Sequence, residues 1–192
     1  MKNINFRNYF FYLLKRVKTF KKMSKVKKTS SDVMWFSMSW FKKAKSEVYL
    51  EYFKSSFPKD PSFPTEGKLK LYDAVSKRID KLFKKMSNDG VAVFNQEAFE
   101  KYIDLFIPNY ADEKKKYDKV LAKMPGKMSK LGKYIKVNNS GIKTIKKDAM
   151  ESMLNAVKVL IAMFFTSTMI IAKNYKSKSL NMKIVNSVLE MM

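Results

Sequence analysis

Three stretches of this chain hold residue types that could do chemistry. In the first, Asp60, Glu66 and Lys68 lie in and just after FPKDPSFPTEG. An acid followed by E-x-K is the order found in metal-dependent nuclease sites, where carboxylates converge on a cation from paired strands. No strand pattern surrounds these residues, so a solvated loop is expected instead.

The second stretch is the turn Ser87-Asn88-Asp89-Gly90 between two helical patterns, which invites comparison with a calcium-binding loop. With Gly90 as the sixth loop residue, the first is Lys85 and the twelfth is Gln96. A lysine cannot ligate calcium, and the bidentate glutamate is missing. A structural helix–turn–helix is predicted. Its second helix carries Glu97, Glu100 and Asp104, which would repel phosphate, so it does not read as a DNA-recognition helix.

The third stretch interleaves Gly126, Gly132 and Gly141 with Lys127, Lys130, Lys133, Lys136, Lys143, Lys146 and Lys147, with no acid between Asp118 and Asp148. Lysines beside accessible glycine amides can hold phosphate groups. There is no G-x-x-x-x-G-K-[ST] loop, and nucleotide hydrolysis has no support. Cysteine and histidine are both absent. That removes disulfides, thiol nucleophiles, His-based triads and Cys or His metal sites. With no paired acids, nucleophile or cofactor loop at convincing spacing, the chain reads as non-enzymatic and without a cofactor.

The formal charge is +23 with pI ≈ 9.9, against a hydrophobic content of 46% that can fill a core. A domain this basic repels itself unless an anion neutralises it; the candidates are nucleic-acid backbone, an anionic membrane surface or an acidic protein. Arg7, Arg16 and Arg78 are the only arginines. Lysine is a hydrated point charge without the planar fork that reads guanine edges, so backbone contact without sequence readout is favoured. Candidate polyanion-binding residues form three groups. The first is Lys15, Arg16, Lys18, Lys21, Lys22, Lys25, Lys27 and Lys28. The second is Lys77, Arg78, Lys81, Lys84 and Lys85. The third is Lys127, Lys130, Lys133, Lys136, Lys143, Lys146 and Lys147. A lysine-rich chain also follows from an A+T-rich genome without selection for any one lysine.

Helices must position these groups. Residues 1–31 contain no acid and place Phe6, Phe10, Leu14 and Val17 on one helical face. They read as a basic amphipathic arm for a membrane or nucleic acid, an organelle-targeting segment, or a first packed helix. Ser30, Ser31 or Asp32 is expected to cap a helix running to about Ser56, striped by Phe36, Trp40, Phe41, Ala44, Val48 and Tyr52. The wide stripe predicts two packing partners; an exposed aromatic patch among Lys42, Lys43 and Lys45, able to stack bases, is the alternative. Pro58, Pro61 and Pro64 keep the next segment extended. Leu69 to Met86 is amphipathic, Val91 to Phe94 a short extended piece, and Asn95 caps a helix through Phe106. Asn109 caps another, broken at Pro125-Gly126. A last helix carries Ile184, Val185 and Val188.

The organising element is the helix expected at 142–175. From Val159 to Ala172 it is apolar all round, and Lys158 is the only charge between Glu151 and Lys173. Such a helix is enclosed either by other helices or by lipid. A membrane span needs about 20 apolar residues, and a lysine within it costs about 2.5–3.5 kcal/mol on insertion scales. The amphipathic neighbours also need a partner for their apolar faces.

The chain is therefore expected to be all-α: an irregular bundle of six to eight helices around the 142–175 helix, with a basic N-terminal arm at 1–31 and a helical domain at 32–192. The leading functional expectation is a binding or structural protein that holds a polyanion, most plausibly nucleic-acid backbone, as a component of a nucleoprotein particle or virion. Oligomers or larger assemblies fit that placement, and an intracellular or particle-associated location is favoured. The alternative is a membrane-associated protein with an interfacial N-terminal helix and an inserted helix at 153–172.

Overall fold

A computed structural model describes residues 35–126 and 130–192. Its elements, in chain order, are α1 (Met38–Val48), continued by a π-helical turn at Tyr49–Phe53, then α2 (Thr65–Asn88), β1 (Val93–Phe94), α3 (Gln96–Phe106), α4 (Tyr110–Lys123), α5 (Leu131–Asn138), β2 (Thr144–Ile145), α6 (Lys147–Asn174) and α7 (Met182–Met191). The expected 1–31 arm and Lys127 lie outside the described residues.

The long helix is the centre of the bundle. Helix α6 is touched by α1, α3, α4 and α7, while α2 closes the layer through α3, α5 and α7. Burial covers most of its apolar stretch: Val159, Ile161, Ala162, Phe165, Met169 and Ala172 are each 0% exposed, while Ile170 faces solvent. It is the one helix among the described residues long and apolar enough to cross a membrane, and 61% of its most apolar window is covered by protein. An amphipathic helix must bury its stripe against something, and a helix apolar on every side offers several of them a surface at once. Phe41 and Phe63 meet Phe165 with ring centroids 5.0 and 5.4 Å away, in edge-on geometry that suits aromatic quadrupoles. Lys158 sits within this burial at 7% exposure, and desolvation pushes its pKa down.

The start of α6 differs from the sequence expectation. Ile142 and Ile145 are not on the helix, which begins at Lys147. Thr144 and Ile145 instead pair in parallel with Val93 and Phe94. Lys143 N–H donates to Ala92 O at 2.8 Å, and Lys146 N–H to Phe94 O at 2.9 Å. This short pair launches α3 and α6 side by side, and Ser152 Oγ donates to Gln96 Oε1 at 2.9 Å. Gly141 lets the chain approach α2 here, because a Cβ on it would run into the Ser87 side chain. That close approach accounts for Gly141 by packing rather than by phosphate contact.

Two helix caps also differ. Helix α1 is capped by Ser37, whose side chain accepts from Trp40 N–H; the expected caps Ser30, Ser31 and Asp32 lie outside the described residues. Trp35 and Phe36 precede the helix yet are 1% and 2% exposed, and Trp35 Nε1–H donates to Ser76 Oγ at 3.2 Å. Asn109 adopts a left-handed conformation, φ 55°, with no side-chain cap bond; Tyr110 N–H donates to Asp104 Oδ1 instead. Asn95 does cap α3 as expected, accepting from Ala98 N–H at 2.9 Å. The segment 57–64 is free of helix, with a bend at Pro58 and Lys59 and an extended Pro64, and α2 begins immediately after it. A parallel bridge joins Ser62 to Ser179, tying that segment to the α6–α7 connection.

The aromatic face of α1 is closed. Trp40, Phe41, Tyr49 and Phe53 are all buried, and Trp40 Nε1–H donates to Pro125 O at 2.9 Å. Only Tyr52 is exposed, so these rings present no stacking platform. Lys45 belongs to this interior as well: it is 6% exposed, with its ammonium on Asp60 and Pro61 O.

Candidate polyanion groove at the start of the long helix

Helix α5 is held down on its inner side. Leu131 and Ile135 are 0% exposed, Tyr134 Oη–H donates to Asp80 Oδ2 at 2.8 Å, and Asn139 Nδ2 reaches Asp80 Oδ1. Burial, then the bond to Asp80, push the Tyr134 phenol pKa well up. With that side fixed on α2, Lys133 and Lys136 are left pointing outward. The parallel strand pair fixes the start of α6 next to them. Together Gly132, Lys133, Lys136, Val137, Ile145, Lys146, Lys147, Met150 and Glu151 line a groove of about 550 Å³.

The groove is strongly positive. Four lysines face it and Glu151 is its only acid; that carboxylate lies 4.0 Å from Lys147, with both side chains largely exposed. Such a pair neutralises little, because water screens it. Lys146 occupies the N-cap position of α6 and makes no side-chain cap bond, so no capping side chain covers the first-turn N–H groups. Helix N-termini carry partial positive charge and suit phosphate. Val137 is 69% exposed beside the lysines and adds an apolar lip.

The other predicted candidates are distributed differently. Lys130 and Lys143 are exposed but do not line the groove. Lys77 pairs with Asp73 at 2.8 Å, and Lys85 with Asp89, whose second oxygen it reaches at 2.7 Å. Lys81 and Lys84 are exposed on α2. Arg78 turns inward: its guanidinium donates to Phe106 O, and burial lowers its pKa. It completes the end of α3 rather than facing solvent, unlike the lysines grouped with it. Lys15, Arg16, Lys18, Lys21, Lys22, Lys25, Lys27, Lys28 and Lys127 lie outside the described residues.

The acids that resembled catalytic or metal groups are occupied separately. Asp60 pairs with Lys45, and Glu66 with Lys70 at 3.2 Å. Asp89 also accepts from Tyr102 Oη–H at 2.7 Å; the Lys85 bond first, then this one, holds its carboxyl below the usual range. Among the described residues no three His, Cys, Asp or Glu side chains gather as a metal site would need.

Sequence reasoning missed one further basic group. Lys59, Lys173, Lys176 and Lys178 line a cleft at the far end of α6. The signal was present in KNYKSK, three lysines in six residues just after the apolar stretch, but nothing local announced that Lys59 joins them.

Comparison with known proteins finds no matching protein-family model, no similar curated protein and no similar solved structure.

Proposed function

We propose that this chain is a non-enzymatic binding or structural protein that holds the phosphate backbone of a nucleic acid without reading its sequence. The observation that carries the reading is the groove lined by Lys133, Lys136, Lys146 and Lys147 at an uncapped helix N-terminus. No arginine lines it, so bidentate recognition of bases has no donor there. A component of a nucleoprotein particle or virion would use such a surface.

The expected result is a steep salt dependence. If the four lysines each displace one counterion from single-stranded nucleic acid, log K falls with log[salt] at a slope of about −3. Lys136→Ala and Lys146→Ala each make that slope shallower by roughly 1 while changing affinity alike for every sequence. Fluorescence anisotropy with homopolymer and mixed oligonucleotides over a salt series measures both. Affinity that is flat in salt, or that depends strongly on sequence, overturns the proposal.

The membrane-associated alternative draws on the length and composition of α6. Insertion of 153–172 would require α1, α3, α4 and α7 to leave the helix and expose their own apolar stripes. Helix burial therefore favours the soluble reading.

A further inference from the structure

We propose that the cleft at the C-terminal end of α6 is a second anion site, separate from the groove at its start, and that it takes a compact ligand carrying a diphosphate group. A helix of 28 residues rises about 42 Å, so the two ends of α6 are far apart. The cleft holds about 280 Å³, and its lining includes Ser56, Pro58, Lys59, Lys173, Lys176 and Lys178.

Charge is the first argument. Four lysines and no acid line this space, and among the described residues none of the four has a carboxylate within ion-pairing distance. The acid beside Lys59 in sequence, Asp60, is committed to the buried Lys45. A phosphate monoester carries about −1.5 to −2 near neutral pH and inorganic pyrophosphate about −3, so a diphosphate group offsets most of the charge of four ammonium groups. Ser56 lines the same space with a hydroxyl that can donate.

The way the cleft is built is the second argument. The Ser62–Ser179 bridge, with Leu180 N–H donating to Ser62 O at 2.9 Å, brings the 57–59 segment against the end of α6. Helix α6 then closes in a Schellman motif: Ser177 N–H donates to Ala172 O at 2.8 Å and Lys176 N–H to Lys173 O at 3.0 Å. These bonds occupy two terminal carbonyls that would otherwise face an incoming anion. The residue after the cap in this motif is usually glycine, because it must be left-handed. Here it is Lys176, at φ 51°. A lysine held where glycine is easier costs stability, and such strain clusters at functional positions. A purely structural helix end would gain from glycine at Lys176, whereas an anion site needs the ammonium.

Those two roles predict opposite responses to one substitution. Lys176→Gly raises Tm by about 2–4 °C and weakens binding of inorganic pyrophosphate about fivefold. Titration calorimetry of the intact chain, at constant ionic strength, is expected to show saturable pyrophosphate binding. The double variant Lys59→Ala/Lys178→Ala lowers that affinity at least tenfold, and Lys136→Ala/Lys146→Ala leaves it unchanged. Oligonucleotide affinity shows the reverse pattern. The proposal is overturned if pyrophosphate does not saturate, if both double variants lose it equally, or if Lys176→Gly leaves it intact. It is also overturned if Lys59→Ala/Lys178→Ala costs the oligonucleotide as much as it costs pyrophosphate. In that case the cleft is a stretch of the nucleic-acid path rather than a separate site.

Discussion

Replacing Phe165 by alanine is expected to remove about 3–5 kcal/mol of folding stability, the range for deleting a fully buried aromatic ring. The side chain is 0% exposed and sits against the rings of Phe41, Phe63 and Phe164 at centroid distances of 5.0, 5.4 and 5.4 Å. Those rings come from α1, from the proline-rich segment and from α6 itself, so the cavity opens where three parts of the chain meet. Domains of this kind have only about 5–15 kcal/mol in total, and the loss is a large share of that. Urea unfolding followed by circular dichroism measures it. Ile170→Ala, five residues along the same helix but 47% exposed, is the control and should change stability by less than about 0.5 kcal/mol. A helix surrounded by lipid would not separate the two positions in this way. Equal small losses at both would contradict the packing described for α6.

Replacing Asp60 by alanine is expected to cost about 3 kcal/mol, the low end for leaving a buried charge unpaired. Lys45 is only 8% exposed at the side chain, while Asp60 is 28% exposed and retains some contact with water. The variant leaves the ammonium with Pro61 O as its one remaining partner. Adding Lys45→Met removes the charge and should restore most of the loss, since a buried ion pair replaced by an apolar side chain is often close to neutral.

The pH dependence follows from the same residue. Burial lowers the Lys45 pKa, and the hydrogen bond and charge of Asp60 only partly oppose it. A lysine with a depressed folded pKa binds its proton less tightly when folded than when unfolded. Between the folded pKa and about 10.5 the unfolded chain therefore holds more protons, and stability rises with pH across that window. Below the folded pKa both states are charged, and the full burial penalty remains. In the Asp60→Ala protein the folded pKa drops further, so its deficit should shrink as pH is raised toward 10. Above that, tyrosines reverse the trend. Burial raises the Tyr110 phenol to about 12, so the unfolded chain ionises first and stability falls.

Much of the fold was legible because its signals are local. The all-round apolar run of α6 can exist only inside something, and Asn95 and the spaced prolines act within a few residues of themselves. Other features were not local. A two-residue strand such as Thr144–Ile145 has no periodicity, and its partner lies about fifty residues back, so the helical pattern ran through it. The cap of α1 falls at Ser37, later than expected, because Trp35 and Phe36 are drawn into the core before the helix starts, which tertiary packing alone decides. Lys45 and Arg78 look like surface charges in sequence, yet one is buried and paired with Asp60 and the other closes a helix end. The groove at the start of α6 was partly readable because its lysines are neighbours in the chain. The cleft at the far end was not, because the Ser62–Ser179 bridge is what carries Lys59 to it.

The measurement that bears most directly on the central claim is amide hydrogen exchange of the whole chain in detergent-free buffer. If α6 is the enclosed core of its own domain, the amides of Val159, Ile161, Phe165 and Met169 exchange only through global unfolding, and Phe165→Ala accelerates them together with those of α2. If those amides exchange freely in buffer and become protected only when lipid or detergent is added, the helix is not enclosed by its own chain and the account is wrong.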